Sequence, residues 1–398
     1  MADELNVPTH RWYEPRNNIA LPPNAVSPKY ILANGVAMID AWINSQPWGM
    51  PLYLFAASEP GWLYDNSDMS SLYQDAAGTI PVSAVGQPVG KQLDKSGRNN
   101  HRTQSTAASR PTFARLPVTG RRNTLLATET LATQSVTVTA AARTLSFYGT
   151  GTITLSGAST AGPLVGTGSS NRVSLTFTPT AGSLTLTVTG SVTRAQLELG
   201  TTDTNYQSVV SLYDITEAGV QTAYGLYYDG VDDFMVTPTI TPGTDKVQVF
   251  AGVRKLSDAN AAQVCELSAS VSSNAGSFFL FAPPAATPTL AFASKGTVQA
   301  TATASGFSAP TTRVLTGLGD ISGDLATIRV NGTQVTQTTT DQGTGNYLAY
   351  PVYFGRRGGA TFPLNGYTFR EVGRFGPNLD AATIANVENW INQNTGAY

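Results

Sequence analysis

Two polar turn segments hold the residues whose types and spacing are most suited to chemistry. The segment Tyr227–Phe234 contains Asp229, Asp232 and Asp233. Ca²⁺ prefers several carboxylate and carbonyl oxygens, so these three side chains are a candidate calcium site. The alternative is a tight turn whose Asp side chains accept hydrogen bonds from local backbone amides. We favour the turn because the spacing is not that of an EF-hand, and we predict no metal and no cofactor.

The sequence offers little else for catalysis. Its two histidines are His10 and His101, and His101 ends the other turn segment, Leu93–His101. A general base is one role for His101, and a hydrogen-bonded turn residue is the favoured one. The sequence contains no Gly-x-Ser-x-Gly elbow and no His-x-x-x-His pair. We therefore predict that the chain is not an enzyme.

Arginine pairs beside aromatic residues indicate a candidate ligand or partner surface. The concentrated pairs are Arg121-Arg122 and Arg356-Arg357, and the second has aromatic residues on both sides. Ring faces suit the apolar faces of sugars, and arginine binds carboxylate or phosphate in a bidentate manner. The alternative is a set of core aromatic residues next to one solvated loop. The predicted surface consists of Tyr347, Tyr350, Arg356, Arg357 and Phe362.

The composition favours an all-β protein and excludes two classes of partner. Charged residues make up 13% of the 398 residues, and the chain contains 38 Gly and 23 Pro, which is typical of many short strands and turns. The net charge is −2 without a basic stripe, so we expect no binding to nucleic acid. No run of about 18 apolar residues exists, and no apolar stretch follows Met1–Glu4, so we expect no membrane insertion and no signal peptide.

The first 50 residues differ from the rest because they are rich in Pro and Trp. We interpret residues 1–50 as an extended arm that docks onto another protein, since such a segment builds no core of its own. The alternative is an arm that packs on its own domain. The docking residues are predicted to be Trp12, Tyr13, Trp42 and Trp48.

Local patterns beyond residue 50 predict strands, one hairpin and one helix. Leu52–Phe55 reads as a strand, and Cys265 reads as a small buried residue in another strand. Thr- and Ser-rich alternation over residues 120–208 predicts a small β-sandwich. Asn331-Gly332 predicts a type I′ hairpin turn. Asp380 is a predicted N-cap of a final helix that Gly396 ends.

Several of these segments resemble a known family. The large part of the chain is similar to the concanavalin A-like, or laminin-G-like, jelly roll of tailed-phage and prophage virion proteins. The segment around Gly120–Asn123 and Ala195–Gly200 resembles the edges of a carbohydrate-binding-module-like β-sandwich common in phage tail proteins. The motifs that carry the jelly-roll resemblance are Trp62–Asp68, Asp94–His101, Tyr228–Phe234, Arg356–Gly359 and Leu364–Gly366.

The resemblance implies a domain organisation. A discontinuous jelly-roll sandwich of residues 51–119 and 209–398 is interrupted by the smaller inserted β-sandwich of residues 120–208. Residues 1–50 precede it as the docking arm, and a short helix ends the chain.

The resemblance also implies a role. The chain would be a virion structural protein, a tail fibre or baseplate-associated protein that recognises host-surface glycan. It would attach to other virion proteins through the arm, form a homo-oligomer, with a trimer favoured, and be exposed on the particle. The alternatives are a capsid decoration or connector without a ligand, and a glycan hydrolase. Concanavalin A-like glycosidases carry a Glu-x-Asp-x-x-Glu run, which this sequence lacks.

Overall fold

Antiparallel strands make up most of the structure, a computed structural model that describes residues 49–398. The predicted all-β class with one short C-terminal helix is confirmed. The first strands are β1 (Gly61–Asp65), β2 (Leu72–Tyr73), β3 (Lys91–Gln92), β4 (Arg102–Thr103) and β5 (Thr112–Pro117). They are followed by β6 (Gln134–Val138), β7 (Arg143–Gly149), β8 (Thr152–Gly157), β9 (Leu164–Val165), β10 (Gly168–Phe177), β11 (Gly182–Thr189) and β12 (Val192–Leu199).

The remaining strands alternate with loops up to the final helix. These strands are β13 (Gln207–Ser211), β14 (Asp214–Glu217), β15 (Thr222–Asp229), β16 (Met235–Val236), β17 (Lys246–Lys255), β18 (Gln263–Leu267), β19 (Ser277–Phe281), β20 (Thr289–Lys295), β21 (Gln299–Ser305), β22 (Thr311–Asp320), β23 (Leu325–Val330), β24 (Thr333–Thr338), β25 (Val352–Phe354) and β26 (Asn365–Phe375). The α-helix is α1 (Ala381–Thr395), and three short 3-10 helices cover Leu52–Phe55, Met69–Ser71 and Ala107–Ser109.

Two large sheets form the main sandwich. The first sheet has ten strands in the order β13-β14-β5-β15-β26-β17-β22-β23-β24, with β1 paired to β26. The second sheet has nine strands in the order β2-β3-β4-β16-β25-β18-β19-β20-β21. Strand pairing is antiparallel throughout the described residues except where β14 meets β5.

A smaller sandwich interrupts the large one, as the sequence predicts. Strands β6 to β12 form a three-stranded sheet, β10-β7-β12, and a four-stranded sheet, β6-β11-β8-β9, and pair with none of the large-sheet strands. The strands before and after them, β5 and β13, both lie in the first large sheet. Strand β13 begins at Gln207, inside the predicted insert range, and pairs with β14.

An aromatic core fills the space between the large sheets. Trp62 stacks on Phe278 with ring centroids 6.3 Å apart and meets Phe354 edge-on at 5.7 Å. Gly373, the cross-strand neighbour of Trp62, leaves room for its ring. A Cβ at position 373 would lie 2.1 Å from that ring, so β26 needs a glycine there.

A buried ion pair links the two large sheets. Arg102 on β4 places Nη1 2.7 Å from Oε2 of Glu371 on β26, and the two side chains are 0% and 3% exposed. The other guanidinium N–H groups donate to Gln92 at 2.9 Å and to Asn66 at 3.1 Å. Segments from both sides of the insert therefore share one charge network.

The strongest local signals of the sequence are confirmed. Asn331 and Gly332 have φ of 50° and 78°, as a type I′ turn between β23 and β24 requires. Asp380 accepts a hydrogen bond from the Thr383 amide at 2.7 Å, and Gly396 ends α1 with φ of 59°. Cys265 is buried on β18.

Two local expectations are wrong or incomplete. Leu52–Phe55 is a 3-10 helix rather than a strand, because Pro51 leads the chain into a turn and the carbonyl of Pro51 accepts from the Leu54 amide. Strand β7 is absent from the sequence prediction, and all but one of its residues are buried.

The predicted docking arm lies outside the described residues apart from its last two positions, and so do Trp12, Tyr13, Trp42 and Trp48. Within residues 49–398, no helix has both the length and the apolar character needed to cross a membrane.

Replacing Arg102 by Met should destabilise the fold by roughly 3–5 kcal/mol, because Glu371 then stays buried without a cation. Urea unfolding followed by tryptophan fluorescence measures this loss. The matched control is Arg194→Met at an exposed position of the insert, where about 0.5 kcal/mol or less is expected. Equal losses in the two variants would contradict a structural role for the pair.

Candidate functional site

The structure corrects one member of the predicted ligand surface. Tyr347 is 1% exposed and belongs to the large core, where its ring packs on Phe278 and Phe375. Its hydroxyl lies 2.5 Å from Ser294 Oγ. This buried partner satisfies the phenol and allows the ring to occupy the interior, and burial raises the pKa of Tyr347 well above its usual value.

Arg357 and Phe362 do lie together, but the charge of Arg357 is already paired. Its Nε donates to Oε2 of the buried Glu266 at 2.8 Å. Its guanidinium lies 4.6 Å from the ring centroid of Phe362 and 5.5 Å from that of Phe281. These contacts cover the outer face of the second sheet, where Phe281 stacks on Phe279.

Arg356 differs from Arg357 in its pairing. Its guanidinium lies 4.3 Å from the ring centroid of Phe234, and no carboxylate of residues 49–398 pairs with it. Tyr350 is half-buried and packs against the large core. The structure thus brings Arg356, Arg357 and Phe362 to one loop, with Tyr350 in a separate environment.

The acidic turn uses its carboxylates on its own backbone. Asp229 Oδ1 accepts from the amides of Val231 and Asp232, and Asp233 Oδ2 accepts from the amide of Asp229. The hydroxyl of Ser109 donates to Asp232 at 2.6 Å. One oxygen from each Asp lies within 4.8 Å of the others. This arrangement is the hydrogen-bonded turn that the sequence favours.

The other turn segment is organised in the same way. Asp94 accepts from the amides of Leu63, Ser96 and Asn100. His101 Nδ1 accepts from the Asp94 amide at 2.9 Å, so His101 is a hydrogen-bonded turn residue.

Sequence reasoning missed a group of aromatic residues at the junction between the large sandwich and the insert. Tyr213, Tyr227 and Tyr367 form what we call the tyrosine cluster, with ring centroids 5.3 Å apart for Tyr213 and Tyr227 and 5.1 Å apart for Tyr227 and Tyr367. Tyr213 and Tyr227 are half-buried, whereas Tyr367 is 4% exposed. The cluster therefore presents two partly open rings on a buried third.

Strand register explains why Tyr227 and Tyr367 meet. Tyr227 on β15 faces Tyr367 on β26, which faces Arg254 on β17, and Arg254 faces Thr312 on β22. Arg254 shares a face of β17 with Phe250, because they are four residues apart. Phe250 packs against α1. This row of paired residues therefore lies on the same outer face of the first sheet that α1 covers, but beyond the helix.

Two arginines approach the tyrosine cluster from the insert side and from the sheet. Gly120 packs on Arg254, and a Cβ at position 120 would lie 2.2 Å from Arg254 Nη2. Arg121 follows directly. Burial lowers the pKa of both arginines. The phenol of Tyr367 acts in the opposite direction on both of them, and the phenol of Tyr227 does so on Arg121.

A cleft of about 430 Å³ opens at the same junction. It lies between the start of the insert, the edge strand β6 and the loop before β14. The tyrosine cluster adjoins it, since the hydroxyl of Tyr367 donates to the carbonyl of Leu212 at 3.2 Å. We call it the junction cleft, and its lining residues are Arg121, Arg122, Thr124, Leu126, Gln134, Ser135, Val136, Thr137 and Leu212.

The lining mixes apolar, hydroxyl, amide and guanidinium groups, which suits a polar ligand with apolar faces. The available sequence signal was the Arg121-Arg122 pair. Its tyrosine neighbours come from three other strands or loops, so spacing along the chain did not reveal them.

No family model matches this chain, and no curated protein matches it. Parts of it are similar in shape to solved structures. The CBM40 of the Ruminococcus gnavus IT-sialidase, bound to α2,3-sialyllactose, is 12% identical with a TM-score of 0.30, and the match covers 36% of this chain and 82% of that one.

Two neurotoxin structures show a similar partial likeness. The binding domain of botulinum neurotoxin DC in complex with SialylT is 13% identical, covers 42% of each chain and has a TM-score of 0.32. The botulinum neurotoxin serotype D binding domain is 11% identical, covers 41% of each chain and has a TM-score of 0.33. This chain therefore spans less than half the length of the two neurotoxin chains.

The acidic turn makes stability depend on pH. Burial, followed by the charge of Asp229, raises the pKa of Asp233 to about 7. Since the folded state then holds this proton more tightly than the unfolded chain, stability falls as pH rises from about 4 to about 7. Asp233→Asn removes the penalty and keeps an oxygen that accepts from the Asp229 amide. We expect the variant to melt above the wild type at pH 8, by a margin that shrinks at pH 5. Equal margins at both pH values in thermal unfolding would contradict the assignment.

Proposed function

We propose that this chain is a non-catalytic protein of a tailed-phage virion that recognises glycan on the host surface. The observation that carries the glycan part is the junction of the tyrosine cluster with the junction cleft. Ring faces pack on the apolar faces of sugars, and the lining hydroxyl, amide and guanidinium groups supply donors and acceptors for sugar hydroxyls.

The lining of the junction cleft supports binding rather than hydrolysis. It contains no carboxylate, histidine or cysteine. Glycoside hydrolysis needs two carboxyl groups on opposite sides of the scissile bond, and the cleft supplies neither of them. The Glu217 and Glu198 carboxylates nearby are both engaged by Arg122.

The virion part of the proposal rests on the sequence resemblance. In it, residues 51–119 and 209–398 form one discontinuous domain, and residues 120–208 form an inserted domain. Residues 1–50 attach the protein to other virion proteins, and the protein assembles as a homo-oligomer, a trimer in the favoured form. The remaining alternative is a capsid decoration or connector without a ligand.

A glycan array probed with the whole recombinant chain tests recognition. We expect saccharide binding that Tyr227→Ala weakens by about tenfold, the loss of one aromatic contact. The matched control, Tyr148→Ala, removes a half-buried ring of the insert that lies under Arg194 and should leave affinity unchanged. Circular dichroism of both variants verifies that they fold. Absence of binding to any saccharide and to host cells would favour the connector.

Immunogold labelling of phage particles tests the location. An antibody raised against this chain should label the tail. Label confined to the head would overturn the tail role and support the decoration alternative.

A further inference from the structure

The junction contains two arginines without an acidic partner, although acids are close by. Within residues 49–398, no carboxylate lies within ion-pair distance of Arg121 or Arg254. The neighbouring acids are used by other arginines, because Arg115 pairs with Asp214 at 2.6 Å and Arg122 pairs with Glu217 at 2.5 Å. The two remaining guanidinium groups therefore keep an uncompensated positive charge.

The hydrogen bonds of Arg121 leave one end of its guanidinium open. Its Nε donates to the Asn123 carbonyl at 2.7 Å, and its Nη2 donates to the carbonyls of Thr124 and Leu125 at 2.8 and 3.1 Å. These bonds fix the orientation of the fork. Its Nη1 donates to no described residue, and Arg121 lines the junction cleft.

Arg254 adds positive charge beside Gly120, at the start of the insert. It is 7% exposed, donates through Nη1 to Thr312 at 2.8 Å, and its Nε has no partner in the described part of the chain. The phenols near both arginines are neutral at pH 7, since burial raises the pKa of Tyr367 to about 12 and raises that of Tyr227. Within residues 49–398, no carboxylate forms an ion pair with either cation.

We propose that the junction cleft takes a saccharide that carries an anionic group, with Arg121 Nη1 as the donor to that group. This inference rests on the proposed glycan recognition. A preoriented guanidinium fork matches the oxygens of a carboxylate or a phosphate. The cleft volume of about 430 Å³ falls within the range of small-molecule sites. Apolar Leu126 and Leu212 and polar Ser135 and Thr137 provide the remaining lining.

The test uses the whole chain on an array of neutral oligosaccharides, each paired with its carboxylated and its phosphorylated counterpart. We expect an anionic member of a pair to bind at least about tenfold more tightly than its neutral parent, the gain of one charge-assisted contact. The carboxylate and phosphate arms show which anion is taken. Preference should weaken in high salt, as for any exposed charge contact.

Two variants connect the preference to this cleft. Leu212→Glu places a carboxylate in the cleft at a 43% exposed position and should abolish the anionic preference, whereas Leu199→Glu, at a 62% exposed position outside the cleft lining, should retain it. Arg121→Gln should give the same loss, and Arg194→Gln, an exposed arginine of the insert without an ion pair, should not.

The outcomes separate this inference from the proposed function. Binding of neutral and anionic saccharides with equal affinity would overturn the inference and leave glycan recognition intact. Anionic preference that survives Leu212→Glu would also overturn it, because the anion would then bind elsewhere. No binding to any saccharide would overturn both.

Discussion

The ion pair between Arg102 and Glu371 is the constraint on which the rest of the structure depends. It joins strand β4, which precedes the insert, to strand β26 near the end of the chain. A charge pair without water is costly unless every polar group around it is satisfied. Here Gln92 and Asn66 accept hydrogen bonds from Nε and Nη2 of the guanidinium, and the rings of Tyr64 and Phe354 cover it at 4.3 and 4.7 Å. Burial acts to lower the pKa of Arg102, but Glu371 and the nearby tyrosines raise it above its usual value.

This constraint explains how a whole sandwich can interrupt another. Because the charge network needs segments from both sides of the insert, the large sandwich is complete only when both segments are present. The chain leaves the large sandwich after β5 and returns to it at β13. Both strands lie near one end of the first sheet's strand order. Arg122 at the exit and Glu217 after the return form a bidentate pair, which ties both crossings together.

The junction cleft is a consequence of that exit. Gly120 has φ of 82° and lies against the Arg254 guanidinium, where a side chain would collide. The chain therefore turns sharply at this glycine, and Arg121 is directed to the carbonyls that follow it. The same turn that starts the insert thus places a cation near Tyr367 and Tyr227.

Features that depend on a few neighbouring residues were predictable from the sequence. The Asn331-Gly332 turn, the Asp380 cap and the Asp229 turn are fixed by bonds within four positions or fewer. The insert was indicated by the Thr- and Ser-rich alternation over residues 120–208 and by the resemblance of the segments on both sides of it to one fold.

Features that depend on distant partners were not predictable. The sequence predicted Tyr347 on the surface, because nothing near it in the sequence indicates the Ser294 hydroxyl that hydrogen-bonds to its phenol. The tyrosine cluster escaped for the same reason, since Tyr227 and Tyr367 meet only through strand register and Tyr213 reaches them from the turn before β14. A sequence pattern indicates which face of a strand a residue occupies, whereas strand register determines its neighbours on the adjacent strands.

Charge compensation distinguishes the two arginine pairs that the sequence singles out. At Arg356-Arg357, the second guanidinium is paired with the buried Glu266 and covers aromatic rings, so its charge mainly stabilises the sheet surface. At Arg121-Arg122, the second guanidinium is paired with Glu217, while the first is oriented by carbonyls alone. Carbonyls orient a cation without neutralising it, so Arg121 keeps its full attraction for an anion. Arg254 and the low polarity around both side chains strengthen the positive electrostatic potential at Arg121. Among the described residues, Arg356 also lacks a carboxylate partner, but its guanidinium lies on the ring of Phe234, whereas Arg121 lines the junction cleft. The pair at the insert junction is therefore the better site for an acidic ligand.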